Sequence, residues 1–193
     1  MRHKRATFRG RAAGIDPGRF VFLDETGAHT ALTRLYGRAP RGQRLVAAVP
    51  EAHWRTTLVS AIRRDGVAAA LVFEGATDEA AFRAFVRGQL VPCLRPGDIV
   101  VLDNLAAHKV SGVARAIRKA GAGLWYLPPY SPDLNPIEKV WAKVKGLLRK
   151  AEARTTEALW EAIGAALRAV TPQDCENSFA HCGYPATPER NAL

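Results

Sequence analysis

The chain has 193 residues, 48% of them apolar, enough to bury the core of one ordinary domain and too many for global disorder. No apolar run reaches the roughly 18 residues of a transmembrane helix, and the basic start MRHKRATFRGRAAG lacks the apolar stretch of a secretory signal. Lys and Arg total 28 against 18 Asp and Glu, a net charge of +10, so the favoured partner is a polyanion, nucleic acid ahead of acidic membrane.

Residues 1–19 carry six Lys or Arg against one acid and show no hydrophobic periodicity, which predicts a basic arm or residual linker. Phe20-Val21-Phe22-Leu23 is a short apolar run ending at Asp24, the pattern of a strand buried on both faces. Residues 25–52, rich in Gly, Arg and Pro, are expected to form a long surface excursion. Residues 54–62 and 67–74 are β-prone runs joined by Arg63-Arg64-Asp65-Gly66, whose Asp-Gly pair predicts a hairpin. Thr77 or Asp78 then caps a helix reaching about Leu94, ended by Pro96-Gly97.

Ile99-Val100-Val101-Leu102 is a second buried-strand run, and it too stops at an aspartate, Asp103. A helix over roughly 110–120 and a third run, Leu124-Trp125-Tyr126-Leu127, follow. After the turn-rich Ser131-Pro132-Asp133-Leu134, Asn135 is expected to cap a helix that starts at Pro136. Ile137, Val140, Trp141, Val144, Leu147 and Leu148 form its apolar stripe, so Trp141 reads as core rather than as a base-stacking platform. A last helix is expected over about 156–169, with an irregular tail from Thr171. Cys93, Cys175 and Cys182 are odd in number and scattered, which fits a reducing cytoplasm, and Cys175-His181-Cys182 matches no standard zinc spacing.

This order predicts an α/β fold with a mixed five-stranded sheet flanked by helices, with a ribonuclease-H-like architecture the natural candidate. The expected organisation is a basic arm over 1–19, a catalytic domain over 20–150, and a C-terminal helix and tail over 151–193 packed on that domain.

Two distant strands that each end in an aspartate put Asp24 and Asp103 at one sheet edge, where ligands of such sheets bind. Two adjacent carboxylates repel unless a cation lies between them, and a hard divalent ion, usually Mg²⁺, answers that need. Glu138, at the head of the helix opened by Asn135-Pro136, would complete a two-metal site with ions about 3.5–4 Å apart. Each residue also has a plainer reading: Asp24 ends a strand, Asp103-Asn104 makes a turn, and Glu138 sits at the capping-box position after Asn135.

Three segments carry a resemblance. Leu23-Asp24-Glu25-Thr26, the stretch VLDNLAAHK over 101–109, and LPPYSPDLNPIE over 127–138 resemble the catalytic blocks of bacterial insertion-sequence transposases of the mariner-like branch of the DDE superfamily. The 34 residues between Asp103 and Glu138 match the spacing of that branch, and the segment around Ala39-Pro40-Arg41-Gly42-Gln43-Arg44 is similar too. The resemblance implies that Asp24, Asp103 and Glu138 are catalytic and bind two Mg²⁺ or Mn²⁺ ions. It implies strand cleavage at transposon ends and strand transfer into target, with water and then a DNA 3′-hydroxyl as the attacking oxygen.

Candidate contacts to double-stranded DNA are Asn104, His108 and Lys109 within the second block, and Lys139 and Lys143 beside Glu138. The partners expected by resemblance are transposon ends and target DNA, a second copy in a homodimer on DNA, and a separately encoded helix-turn-helix part. That last expectation follows from a start only about 20 residues before the first catalytic strand. No membrane partner is expected, and the implied location is the bacterial cytoplasm, associated with the nucleoid. Rival readings are a non-catalytic DNA-binding transposase remnant and another ribonuclease-H-like nuclease.

Overall fold

A computed structural model of the chain describes residues 2–49, 55–103 and 111–185. The apolar runs seen in the sequence become the centre of a five-stranded sheet of order β3-β2-β1-β4-β5. Its strands are β1 (Phe20–His29), β2 (Arg55–Arg63), β3 (Gly66–Glu74), β4 (Ile99–Leu102) and β5 (Gly123–Tyr126). β1 pairs antiparallel with β2 and parallel with β4, and β4 pairs parallel with β5, so the sheet is mixed as predicted. β1 and β4 are covered on both faces, which explains why their sequences are continuous apolar runs rather than alternating ones.

The hairpin forms, with a tighter turn than the sequence suggests. Arg63 and Gly66 are the last paired residues, leaving Arg64-Asp65 as a two-residue loop. A register shift between Ala61 and Ile62 interrupts the ladder. Asp78 caps α2 (Glu79–Phe85) by accepting from the Ala81 amide at 2.7 Å. The chain then loosens into a π turn over Val86–Leu90 and a 3-10 turn over Val91–Cys93, so the predicted single helix to Leu94 is three pieces. Pro92 lies at the head of the last piece and has no amide to continue an α-helical ladder.

Even-numbered residues of β1 and odd-numbered residues of β4 share one face. Phe20, Phe22, Ile99 and Val101 belong to the larger core, with Ile137, Val140, Trp141, Val144 and Leu148 of α4 (Ile137–Ala151). Val21, Leu23, Val100 and Leu102 face the other core, with Phe82, Phe85, Val113 and Ile117. The latter two come from α3 (Val113–Lys119). Residues 104–110, including the candidate DNA contacts Asn104, His108 and Lys109, lie outside the described residues.

Four expectations are corrected. Residues Arg2–Ala13 form a helix, α1, rather than an irregular arm. Its apolar contribution is only Phe8 and Ala12, four apart on one face, too sparse a signal for periodicity to reveal. Phe8 meets the Trp125 ring edge-on at 6.0 Å, and the Arg11 guanidinium lies 4.0 Å from the Trp125 ring centroid. The strand that was to stop at Asp24 runs on to His29, because its ladder with β2 uses backbone groups indifferent to side-chain polarity. The surface excursion accordingly begins at Thr30, where Arg154 donates to the Thr30 and Leu32 carbonyls at 2.9 and 3.0 Å.

The tail from Thr171 is also ordered. After α5 (Thr156–Arg168) comes α6 (Pro172–His181), opened by a capping box between Thr171 and Asp174 with Pro172 at the first turn. Thr-Pro-x-Asp is a start signal present in the sequence. The helix matters because Phe179 meets Phe22 edge-on at 5.3 Å and Tyr184 lies 5.0 Å from it. Burial pushes the Cys175 and Cys182 thiols of this segment up to about 11, as befits small apolar core residues.

Candidate active site

The parallel register Leu23↔Leu102 ends one residue short of the two aspartates. Continued by one step it sets Asp24 beside Asp103, across a strand spacing of about 4.8 Å. By the alternation of the strands, both belong to the sheet face covered by α4. β5 extends the edge: beyond it the Leu127 amide donates to the Leu102 carbonyl at 2.7 Å, so the LPPYSPDLNPIE segment departs from beside Asp103. That segment turns back over the sheet edge and enters α4, whose first turn holds Glu138. A cleft of about 400 Å³ results, lined by Asp24, Asp103 and Glu138 together with Asn135 and the loop from Leu127 to Pro132.

The three carboxylates differ in setting. Asp24 is 8% exposed, Asp103 half-buried and Glu138 exposed. Asp24 Oδ1 accepts from the Glu25 amide at 2.8 Å, and Oδ2 accepts from Asn135 Nδ2 at 3.1 Å. This overturns the expected cap. Asn135 has turned its side chain inward to Asp24, and α4 begins at Ile137 with Pro136 at the N-cap and no side-chain cap. Among the described residues no three His, Cys, Asp or Glu side chains stand close enough together to hold a metal ion among them. The carboxylates stand instead around an open cleft.

The loop is braced from both sides. Arg5 of α1 donates to Ser131 Oγ at 2.9 Å and forks onto Asp133, with contacts of 2.9 and 2.5 Å. Those bonds hold the Asp133 carboxyl below its ordinary value against the opposing effect of desolvation. From the segment just after α6, Tyr184 donates to the Leu134 carbonyl at 2.8 Å. Burial raises the Tyr184 phenol far above its usual range, so it remains a donor. Just ahead of the braced residues Tyr130 sits at φ 52°, a left-handed conformation costly for a tyrosine, and is 85% exposed at the cleft rim. The bracing role of α1 and of the segment after α6 was missed from sequence, and nothing short of the fold brings Arg5 to Asp133.

Of the basic residues expected beside Glu138, Lys139 is exposed, whereas Lys143 is half-buried in an ion pair with Asp174. The Lys143 and Thr171 hydrogen bonds hold the Asp174 carboxyl down at about 2. An unfolded carboxyl titrates near 3.9, so the folded value is depressed. The stabilisation is full above about pH 4 and is lost as pH falls through 2. Urea midpoints of wild type and Asp174→Asn are therefore expected to differ at pH 6 and converge between pH 4 and 2. A gap that persists at pH 2 would assign the effect to packing instead.

The sequence model of the DDE superfamily endonuclease family matches residues 19–160. No curated protein matches the chain in sequence. Among solved structures, the Mos1 mariner paired-end complex with Mn superposes with a TM-score of 0.75 at 18% identity, covering 93% of this chain and 57% of that one. The Mos1 strand transfer complex gives 0.74 at 18% identity, over 93% and 56%. The catalytic domain of Mos1 mariner transposase gives 0.66 at 16% identity, over 93% and 85%. The chain thus spans somewhat over half the length of the Mos1 chains in those complexes and most of that catalytic domain. With the family match over most of its length and a sheet of the same fold, the chain belongs to the DDE superfamily endonucleases.

Proposed function

We propose that the chain is a transposase catalytic domain that cuts DNA strands at transposon ends and joins them to target DNA. The observation that carries this reading is one cleft lined by Asp24, Asp103 and Glu138, at the edge where the parallel register of β1 and β4 ends with Leu23↔Leu102. The family match and the Mos1 likeness support it.

The described residues lining the cleft fit a hard divalent cation, since their charged groups are carboxylates and their neutral ligating atoms are oxygens, with no Cys or His among the described residues. An open arrangement also suits Mg²⁺ or Mn²⁺, which keep several waters and use substrate phosphate oxygens beside one or two carboxylates. Asp24 and Asp103 would hold both ions between them and Glu138 would bind one of them. When bound, the ions supply Lewis-acid stabilisation of the attacking and leaving oxygens. The chain's own residues do the positioning: Asp24, fixed by two hydrogen bonds, is the rigid reference, and the braced loop sets Glu138 relative to it.

Double-stranded DNA is the substrate in this reading, and a homodimer on DNA and a helix-turn-helix part encoded separately are its partners. The site of action is the cytoplasm, on the nucleoid. Among the described residues no helix is long and apolar enough to cross a membrane. Lys139, exposed one residue from Glu138, is assigned to the DNA backbone, and Asn104, His108 and Lys109, outside the described residues, to further contacts with the same DNA. Lys139→Gln is expected to weaken binding equally across DNA sequences and lower the salt slope by about one unit. A change in sequence preference at constant slope would remove Lys139 from that role. Nicking of supercoiled plasmid in Mg²⁺ or Mn²⁺ tests the reading itself. Metal-dependent nicks support it, and a protein that neither binds metal nor nicks sinks it.

A further inference from the structure

We infer that Asn135 is a positioning residue of the metal site, holding Asp24 through Nδ2 and offering Oδ1 to the water shell of a bound cation. This rests on the reading above. Asn135 is 3% exposed and lines the cleft, and its Nδ2 donates to Asp24 Oδ2 at 3.1 Å. An ionised carboxylate only accepts, so the amide must turn its nitrogen to Asp24 and its oxygen away. That oxygen is buried and has no hydrogen-bond partner among the described residues.

Buried carbonyl oxygens in folded proteins nearly always meet a donor. In a cleft whose ionic groups among the described residues are carboxylates, the donor that chemistry supplies is water bound to a hard cation. Metal ligands are commonly oriented by such outer partners, which fix the ligand and hold the surrounding waters.

A second observation comes from α4. The N-cap position of α4 is taken by Pro136, which has no side-chain acceptor, and Asn135, one residue ahead of it, leaves the open helix end uncapped and turns its amide to Asp24. A local rule broken in this way marks a site with another use. The position is also rigid. The Leu134 carbonyl accepts from Tyr184, Asp133 is clamped by Arg5, and the Glu138 amide donates to the Asn135 carbonyl at 3.2 Å. One short segment therefore sets the orientation of Asp24 and the position of Glu138 together.

The test is calorimetric titration of Mn²⁺ into wild type, Asn135→Ala and Asn135→Leu, the last keeping the volume filled if the alanine variant fails to fold. Loss of an outer-shell partner is expected to weaken Mn²⁺ binding at least about tenfold. Plasmid affinity should stay unchanged, and nicking should recover as Mn²⁺ is raised, which repair of a purely structural defect would not produce. Folded variants that bind Mn²⁺ within twofold of wild type overturn the assignment of Asn135 and leave the transposase reading standing. So does a nicking deficit that persists at saturating Mn²⁺. A wild type that takes up no Mn²⁺ overturns both.

Discussion

Asp103→Asn is expected to lower metal-dependent plasmid nicking by at least about 10³-fold while leaving the protein folded. A bound cation supplies several kcal/mol of stabilisation to the charge that develops on the transferring phosphoryl group, and about 4 kcal/mol corresponds to 10³ in rate. The amide has the shape of the carboxylate but not its charge, so it cannot hold the ion against water. Asp24→Asn should behave alike, with one difference. The Asn135 amide can turn over and accept from the new Nδ2, so the 3.1 Å contact survives with its polarity reversed. Without metal both variants should melt no lower than wild type, because removing one of two neighbouring negative charges relieves repulsion. Rates and melting temperatures, with and without Mn²⁺, check this. Wild-type nicking by either variant would remove that residue from the chemistry.

The second large effect concerns stability, at the far end of the sheet. Arg63, the last residue of β2, forks onto Asp98 with contacts of 2.9 and 2.5 Å, and both side chains are 5% exposed. The same guanidinium donates to the Cys93 carbonyl at 2.8 Å, and the Arg95 amide donates to Asp98 at 2.6 Å. Burial alone would push the Asp98 carboxyl up, yet the hydrogen bonds and charges of Arg63 and Arg95 hold it below its ordinary value. Arg63→Met leaves a buried carboxylate without its countercharge, and breaking such a pair costs about 3–5 kcal/mol. Urea denaturation at pH 7 should show that loss. Replacing both residues, Arg63→Met with Asp98→Leu, should recover part of it, since no buried charge then remains. A single variant within 1 kcal/mol of wild type, a loss of the size typical of an exposed pair, would show that the bridge opens to water.

What can be read from this sequence follows from how local each signal is. Short apolar runs ending in aspartate marked β1 and β4 because strands buried on both faces need side chains of one kind in succession. The Asp-Gly turn, the Asp78 cap and the apolar stripe of α4 are likewise contained within a few residues. The pairing of Asp24 with Asp103, and their nearness to Glu138, could be proposed from strand ends and from the family pattern. Other features depended on contacts between residues far apart in the chain, which no local pattern encodes. α1 is helical in a segment with only two buried apolar residues because Phe8 finds Trp125 and Arg5 finds Asp133, more than 100 residues away. Asn135 belongs to Asp24 rather than to its own helix because the fold places a buried carboxylate within reach of its amide. Lys143, assigned by position to DNA, is paired with Asp174 because α6 packs against α4. Composition and periodicity determined which segments are strands and helices and where carboxylates sit along them. Only the tertiary structure decided which polar groups face each other, because a hydrogen bond between distant residues depends on the whole packing and leaves no trace in either sequence neighbourhood.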